Sequence, residues 1–174
     1  EAFSLDGVTY EAFNTSGGLG TLCHTLQGKV QNLNYKTVRY PGHRDIVKTL
    51  LRDLRLGEPD KRALLKQILE AAIPVTTQDV ALVFVTVTGE KKGVLTQESY
   101  AKKIYAEELH GRALSAIQIT TAAAACAAMD LMLGGKLPQR GFLRQEDVAL
   151  DDFLANRFGH YYLQADDIQT VAAA

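Results

Sequence analysis

The chain has 174 residues, with 19 Lys+Arg against 20 Asp+Glu, 47% hydrophobic and 22% charged residues, 14 Gly, 4 Pro and 2 Cys. Balanced charge and an ordinary apolar fraction exclude a disordered acidic chain and a basic nucleic-acid binder. The length suits one domain whose core needs neither disulfides nor a structural metal, and Cys23 and Cys126, with no CxxC spacing, read as lone buried thiols.

The chain begins at Glu1, and its first thirty residues hold no charged segment followed by an apolar one, so no targeting signal is read. The longest strictly apolar run, Ala122 to Met129, is far short of the roughly 20 residues of a membrane span. The expectation is a soluble piece of a longer protein, in a reducing, cytoplasmic compartment, with neither nucleic acid nor membrane as partner. A processed secreted domain is the alternative, which the sparse cysteines disfavour.

Val8 to Phe13 (VTYEAF) predicts a strand, ending in the turn-forming run Asn14-Thr15-Ser16-Gly17-Gly18. Leu19 to Leu26 reads as a short helix closed by Gly28. Val30 to Tyr40 resumes a strand pattern, with Leu33, Tyr35, Thr37 and Arg39 on one face and Lys36, Val38 and Tyr40 on the other, until Pro41-Gly42 stops it. Ile46, Val47, Leu50, Leu51 and Leu54 fall at helical spacing within 43–56, and Leu64, Leu65, Ile68, Leu69 and Ala72 repeat the pattern after Gly57-Glu58-Pro59.

Asp79 to Thr88 (DVALVFVTVT) is nearly all β-branched or aromatic, as in a strand buried on both faces. Gly89 to Gly93 connects it to Val94–Tyr105, predicting a long antiparallel hairpin. Ser115 with Gln118 has capping-box form and opens an Ala-rich helix running to Gly134-Gly135. Its small side chains let a sheet or another backbone approach closely. A second helix is predicted over Glu146 to Phe158, and the chain ends in a featureless Ala tail. No repeat, linker or charge block marks a boundary, so a single domain over 1–174 is expected.

The chemistry-bearing motifs are few. Gly18-Leu19-Gly20-Thr21-Leu22-Cys23 imitates a dinucleotide fingerprint, but Cys23 stands where the third glycine belongs. Gly17 and Gly18 expose amides before a helix, suited to an anion such as a carboxylate; a turn that caps the helix through Thr15 or Ser16 accounts for them equally. On the strand, Arg39 offers a fork matched to a carboxylate and Thr37 a hydroxyl to orient it, against the alternative of an exposed or core-rim arginine. His24, His43, His110 and His160 lack metal-ligand spacing, and no GxSxG, P-loop or CxxC occurs.

Taken together, EAFNTSGGLGTL, KTVRYPGH, IPVTTQDVALVFVTVTG and LPQRGFLRQEDV resemble the carboxy-terminal, substrate-side domain of the saccharopine dehydrogenase and lysine dehydrogenase family. The resemblance runs over nearly the whole chain. Its most specific part is the FNTSGGLGTL loop followed by Thr37-Val38-Arg39-Tyr40-Pro41-Gly42-His43, where relatives carry T-L-R-Y-x-G. Val38 is a conservative departure. Ser16 stands where the fungal saccharopine reductases carry an arginine, which resembles the bacterial lysine dehydrogenase-like branch.

The resemblance implies an oxidoreductase that passes a hydride between NAD or NADP and the C–N bond of a lysine-derived amino acid. A Rossmann domain of the same parent chain would hold the cofactor, none being bound by this part alone, and the isolated chain would be inactive. Carried over residue by residue, Thr37 falls on a substrate-cleft threonine and Thr15, Ser16 and Gly17 on a substrate-contacting loop. Arg39 follows from the carboxylates of such substrates, and His43 is a candidate for proton transfer.

The expected fold is α+β: a mixed, largely antiparallel sheet with helices near 43–56, 60–72 and 116–133 packed on one face, of the type in the carboxy-terminal domain of glyceraldehyde-3-phosphate dehydrogenase. The other sheet face would be exposed or paired in a homodimer. The rival reading is a stand-alone ligand-binding or dimerisation module that kept the fold without the chemistry.

Overall fold

The computed structural model describes residues 1–15 and 17–163. The fold is α+β, and every strand pairing in it is antiparallel. The strands do not form one sheet. Hydrogen bonding groups them into a three-stranded sheet and two hairpins, and the chain divides into two compact units, Glu1–Val75 and Thr76 onward.

In the first unit, β1 (Ala2–Leu5) and β2 (Val8–Phe13) form a hairpin, and β3 (Thr37–Arg39) pairs with the other edge of β2. The turn is Asp6-Gly7, both at positive φ, the mirror-image geometry that follows the right-handed strand twist. One sheet face is aromatic. Phe3 stacks on Tyr10 at 5.5 Å and Tyr10 on Tyr40 at 5.7 Å, and Tyr10 and Ala12 are buried there. The other face carries Glu11, Phe13, Thr37 and Arg39, since directly opposed residues share a face.

The long strand expected over 30–40 shrinks to Thr37–Arg39. Its ladder partner β2 ends at Phe13, so residues before Thr37 have no strand to pair with. The helix expected over 19–26 is one turn, α1 (Leu22–Thr25), and it buries nothing. That is why Cys23 is exposed rather than the buried thiol expected, while Cys126 is half-buried. Next, α2 (His43–Lys48) widens over Thr49–Asp53 into a turn closed by Leu54 N–H to Thr49 C=O at 2.9 Å, and α3 (Arg62–Ala72) follows. None of these three segments contains a buried residue.

The second unit is built on a hairpin and one long helix. β4 (Val80–Lys91) and β5 (Val94–Tyr105) pair along their whole length around Lys92-Gly93, both at positive φ. A smaller hairpin, β6 (Glu107–Leu109) and β7 (Arg112–Leu114), turns at His110-Gly111 in the same way. The capping box at Ser115 forms: its hydroxyl accepts from Gln118 N–H at 3.3 Å, and the Gln118 side chain accepts from Ser115 N–H at 2.9 Å. The Asp79 carboxylate adds a third partner at this helix start, accepting from Ala116 N–H at 2.7 Å.

Helix α4 (Ala116–Leu133) buries Ala116, Ile119, Thr120, Ala123, Ala127 and Leu131, a stripe at helical spacing. It packs on the hairpin face that holds Ala81, Val83, Tyr100, Lys102 and the buried Ile104. Tyr162 donates to Thr120 C=O at 2.8 Å, while Tyr100 and Lys102 donate to the carbonyls of Tyr162 and Leu163. β4 contains no buried residue, unlike the strand buried on both faces that its sequence predicts: Val80 through Val83 are half-buried, the strand then continues past α4, and Phe84 through Lys91 are exposed.

The helix expected over 146–158 is two short pieces, a 3₁₀ turn at Gln145–Asp147 and α5 (Leu150–Ala155), and a second 3₁₀ turn follows at Gly159–Tyr162. Val148 and Asn156 are extended between them. At Asn156 the side chain accepts from Phe158 N–H at 2.9 Å and donates to Asp130 at 2.8 Å, a local alternative to continuing the helix. The Ala tail lies outside the described residues.

Candidate functional site

The loop after β2 and the strand β3 come together because Phe13 and Thr37 are directly opposed. Two residues beyond Phe13, the Thr15 hydroxyl meets the Thr37 hydroxyl at 2.7 Å. This bond joins the two segments that carry the most specific part of the sequence resemblance. Thr15 is exposed and Thr37 half-buried, so the pair sits at the surface with one hydroxyl hydrogen engaged and oxygen lone pairs to spare. Ser16 lies outside the described residues.

Gly17 is packed against Tyr35. A Cβ on it would stand 2.7 Å from the ring edge and 2.9 Å from the phenolic oxygen, so a side chain there would have to displace the Tyr35 ring. Arg39 lies on the same strand face as Thr37 but is exposed, and its Nη1 donates to the neighbouring Val38 carbonyl at 2.7 Å. It forms no ion pair among the described residues. Its cross-strand neighbour is Glu11, whose carboxylate accepts from Arg44 N–H at 2.7 Å and ties β2 to the start of α2.

His43, the first residue of α2, is exposed and stacks its ring on Phe13 at 6.3 Å and 25°. The structure thus brings His43, Phe13, Thr37 and Thr15 into one neighbourhood, with Arg39 and Glu11 further along the same face. Sequence reasoning missed Glu11 and Phe13, although their alternation with Tyr10 and Ala12 in VTYEAF marks them as the outward set.

Charges around the face are pinned. Lys36 pairs with Glu1 at 2.6 Å and holds the Glu1 carboxyl below its usual range, by hydrogen bond and by charge. Arg44 pairs with Asp45 at 2.9 Å, which lowers the Asp45 pKa and raises that of Arg44. Arg39, by contrast, keeps its charge outward.

Two concavities of about 290 Å³ open in this unit. One lies over Glu11, Phe13, Pro41 and Arg44, beside the candidate residues; the other lies between α1 and Leu33. Thr15, Gly17, Thr37 and Arg39 line neither. No group of His, Cys, Asp and Glu among the described residues is arranged to hold a metal ion.

The helix after the glycine loop is one turn long, and the Tyr35 ring lies against Gly17. No family model matches the chain, and no solved structure matches it.

Proposed function

We propose that this chain is the substrate-side part of an NAD(P)-dependent oxidoreductase similar to saccharopine and lysine dehydrogenases, acting on the C–N bond of a lysine-derived amino acid. The observation that carries the reading is the Thr15–Thr37 hydroxyl pair, which couples the FNTSGG loop to the TVRYPGH strand. Those two segments carry the most specific part of the resemblance.

The charge pattern supports an amino acid as ligand. Thr15, Thr37 and Arg39 offer hydroxyls and a guanidinium to a carboxylate, and Glu11, across the strand from Arg39, offers a carboxylate to an ammonium. An arginine and a glutamate side by side suit a zwitterion better than a simple dianion. On this reading the chain's residues bind and orient the substrate, and His43, at the rim of the face, is the candidate to hold or move a proton. A nicotinamide, held by a Rossmann domain of the parent protein, would when bound exchange the hydride with the carbon of the substrate's C–N bond.

Calorimetric titration with saccharopine, lysine and succinate tests this. Saccharopine and lysine should bind and succinate should bind less well, Arg39→Met and Thr37→Val should each weaken saccharopine by at least about tenfold, roughly 1.4 kcal/mol, and Glu11→Gln should narrow the preference over succinate. Binding that Arg39→Met leaves unchanged would return that residue to the scaffold. Tight NADH binding by the chain itself would sink the division of labour.

A further inference from the structure

We propose that the concavity over Glu11 binds a primary alkylammonium, with the ammonium on the Glu11 carboxylate and the aliphatic chain against Phe13 and Pro41. The inference deepens the substrate reading and rests on it for the natural ligand. The amino group of the amino acid would sit on Glu11 and its aliphatic chain in the concavity, with the carboxylate left to Arg39 and Thr37, which do not line it.

The charges decide the sign of the ligand. Glu1, Glu11 and Arg44 are the charged residues that line the concavity. Glu1 has its carboxylate held by Lys36 at 2.6 Å, and its amino group donates to Ala12 C=O at 2.9 Å. The Arg44 guanidinium lies on Asp45, donating from Nε and from Nη2, both at 2.9 Å. Glu11 forms no ion pair among the described residues: its Oε1 accepts from Arg44 N–H at 2.7 Å, a neutral donor that fixes the carboxylate and leaves its charge unmatched. Arg39, directly across the ladder, turns a guanidinium N–H to the Val38 carbonyl instead. A carboxylate can accept several hydrogen bonds, so a cation with N–H groups supplies both the missing charge and the missing donors.

The shape decides the rest. Alternation puts Glu11 and Phe13 on one strand face, and Ala2, opposed to Glu11 across the β1–β2 ladder, shares it. The Ala2 side chain is a single methyl group, so the space beside the carboxylate stays open, while Phe13 and Pro41 supply apolar walls. A volume of about 290 Å³ stands at the small end of ligand pockets, roughly 300–1,000 Å³, and suits an amine of a few carbons. The rings favour a primary amine over a quaternary one. A quaternary ammonium is recognised by free aromatic faces, whereas Phe13 is stacked with His43, and Tyr10 with Phe3 and Tyr40. Recognition falls to the carboxylate, which needs N–H donors.

Titration of the isotope-labelled full chain with n-butylammonium chloride, followed by backbone amide NMR shifts, tests the site. This probe has no carboxylate, so it reads the concavity without Arg39 and Thr37, and the Arg44 amide, bonded to Glu11, is the reporter. Saturating shifts are expected at Glu11, Phe13 and Arg44, with butyltrimethylammonium and butyrate each at least about tenfold weaker. Glu11→Gln keeps an acceptor for Arg44 N–H and removes the charge; Ala2→Leu keeps the charge and fills the space. Each should weaken butylammonium at least about tenfold while its amide spectrum stays that of a folded chain. Shifts that do not saturate, that butyrate matches, or that either folded variant leaves unchanged would overturn the proposal. That failure would leave the substrate reading standing on the loss of saccharopine binding in Arg39→Met. Failure of the Arg39→Met test, with butylammonium still bound beside Arg44, would instead overturn the substrate reading and keep the concavity as an amine site.

Discussion

In the second unit, a helix of small side chains lies against a hairpin, and Ala116, Ile119, Ala123, Ala127, Leu131, Ile104, Leu137 and Leu163 are buried together. In the first, the buried apolar residues are Tyr10, Ala12 and Leu56, while Ile46, Leu54, Leu64 and Ile73 of its helical stretch are exposed. The second unit is held by close approach of backbone elements, which alanine permits. The first is held by a narrow aromatic stack under a three-stranded sheet, and its opposite face carries Glu11, Thr37 and Arg39 beside Phe13. The candidate site lies on that opposite face, where Glu11, Phe13 and Thr37 are half-buried, Arg39 is exposed and the His43 ring stacks on Phe13.

The comparison breaks most readily at Tyr10, which is buried and stacks on both Phe3 and Tyr40. Truncation to Ala should cost about 3 kcal/mol, the order found for removing a buried aromatic ring. Hydrogen exchange read by mass spectrometry should show protection lost in β1, β2 and β3, with α4 and the long hairpin unchanged. Equal loss in both units would mean that the two are a single cooperative core.

A smaller effect sharpens the other side. Ser115 and Gln118 satisfy each other's backbone N–H groups at the start of α4, while Asp79 holds Ala116 N–H. Ser115→Ala should therefore cost about 1 kcal/mol, the usual size for a lost N-cap hydroxyl. Thermal melts followed by circular dichroism measure it. Replacing Ser115 by Asp, which also caps, should restore most of the loss; no difference between Ala and Asp would show that Asp79 alone fixes the helix start.

The sequence made the second unit the more legible. Ser115, Gln118 and Gly134 bracket α4, and the observed bounds of β5, Val94–Tyr105, coincide with those of its apolar and polar pattern. What sequence could not supply was where packing stops: VALVFVTV reads as buried throughout, yet α4 covers only its first four residues, and no local feature of Phe84 or Val85 marks that limit. The same gap explains the first unit. The tyrosine and lysine of NYKTVR alternate as a strand would, but pairing requires a neighbour, and β2 turns away at Asn14. The short hairpins at Asp6-Gly7 and His110-Gly111 did carry a signal, the X-Gly pair of a tight turn, on strands too short for periodicity to show. At the candidate site, alternation put Thr37 and Arg39 on one face, while the meeting of Thr15 with Thr37 depended on the β2–β3 register, which sequence does not state.

The smallest expected effect concerns how α4 is tied to the segment after α5. Asp130 accepts from the Arg157 guanidinium at 2.6 Å and from the Asn156 amide at 2.8 Å, and these bonds, Arg157's first, lower its pKa below the ordinary 3.8. A carboxylate whose folded pKa is depressed contributes stability above its unfolded pKa and loses it as pH falls through the folded value. Asp130→Asn should thus destabilise the chain by a constant, small amount above about pH 5, and the difference from the unsubstituted chain should close as the pH drops below about 4. Urea melts at a series of pH values measure this. A difference that persists unchanged at the acid end would show that the loss comes from packing around residue 130 rather than from its charge. The salt dependence separates the two partners: Arg157 is largely exposed, so its share should fade in added salt, whereas the Asn156 hydrogen bond should not.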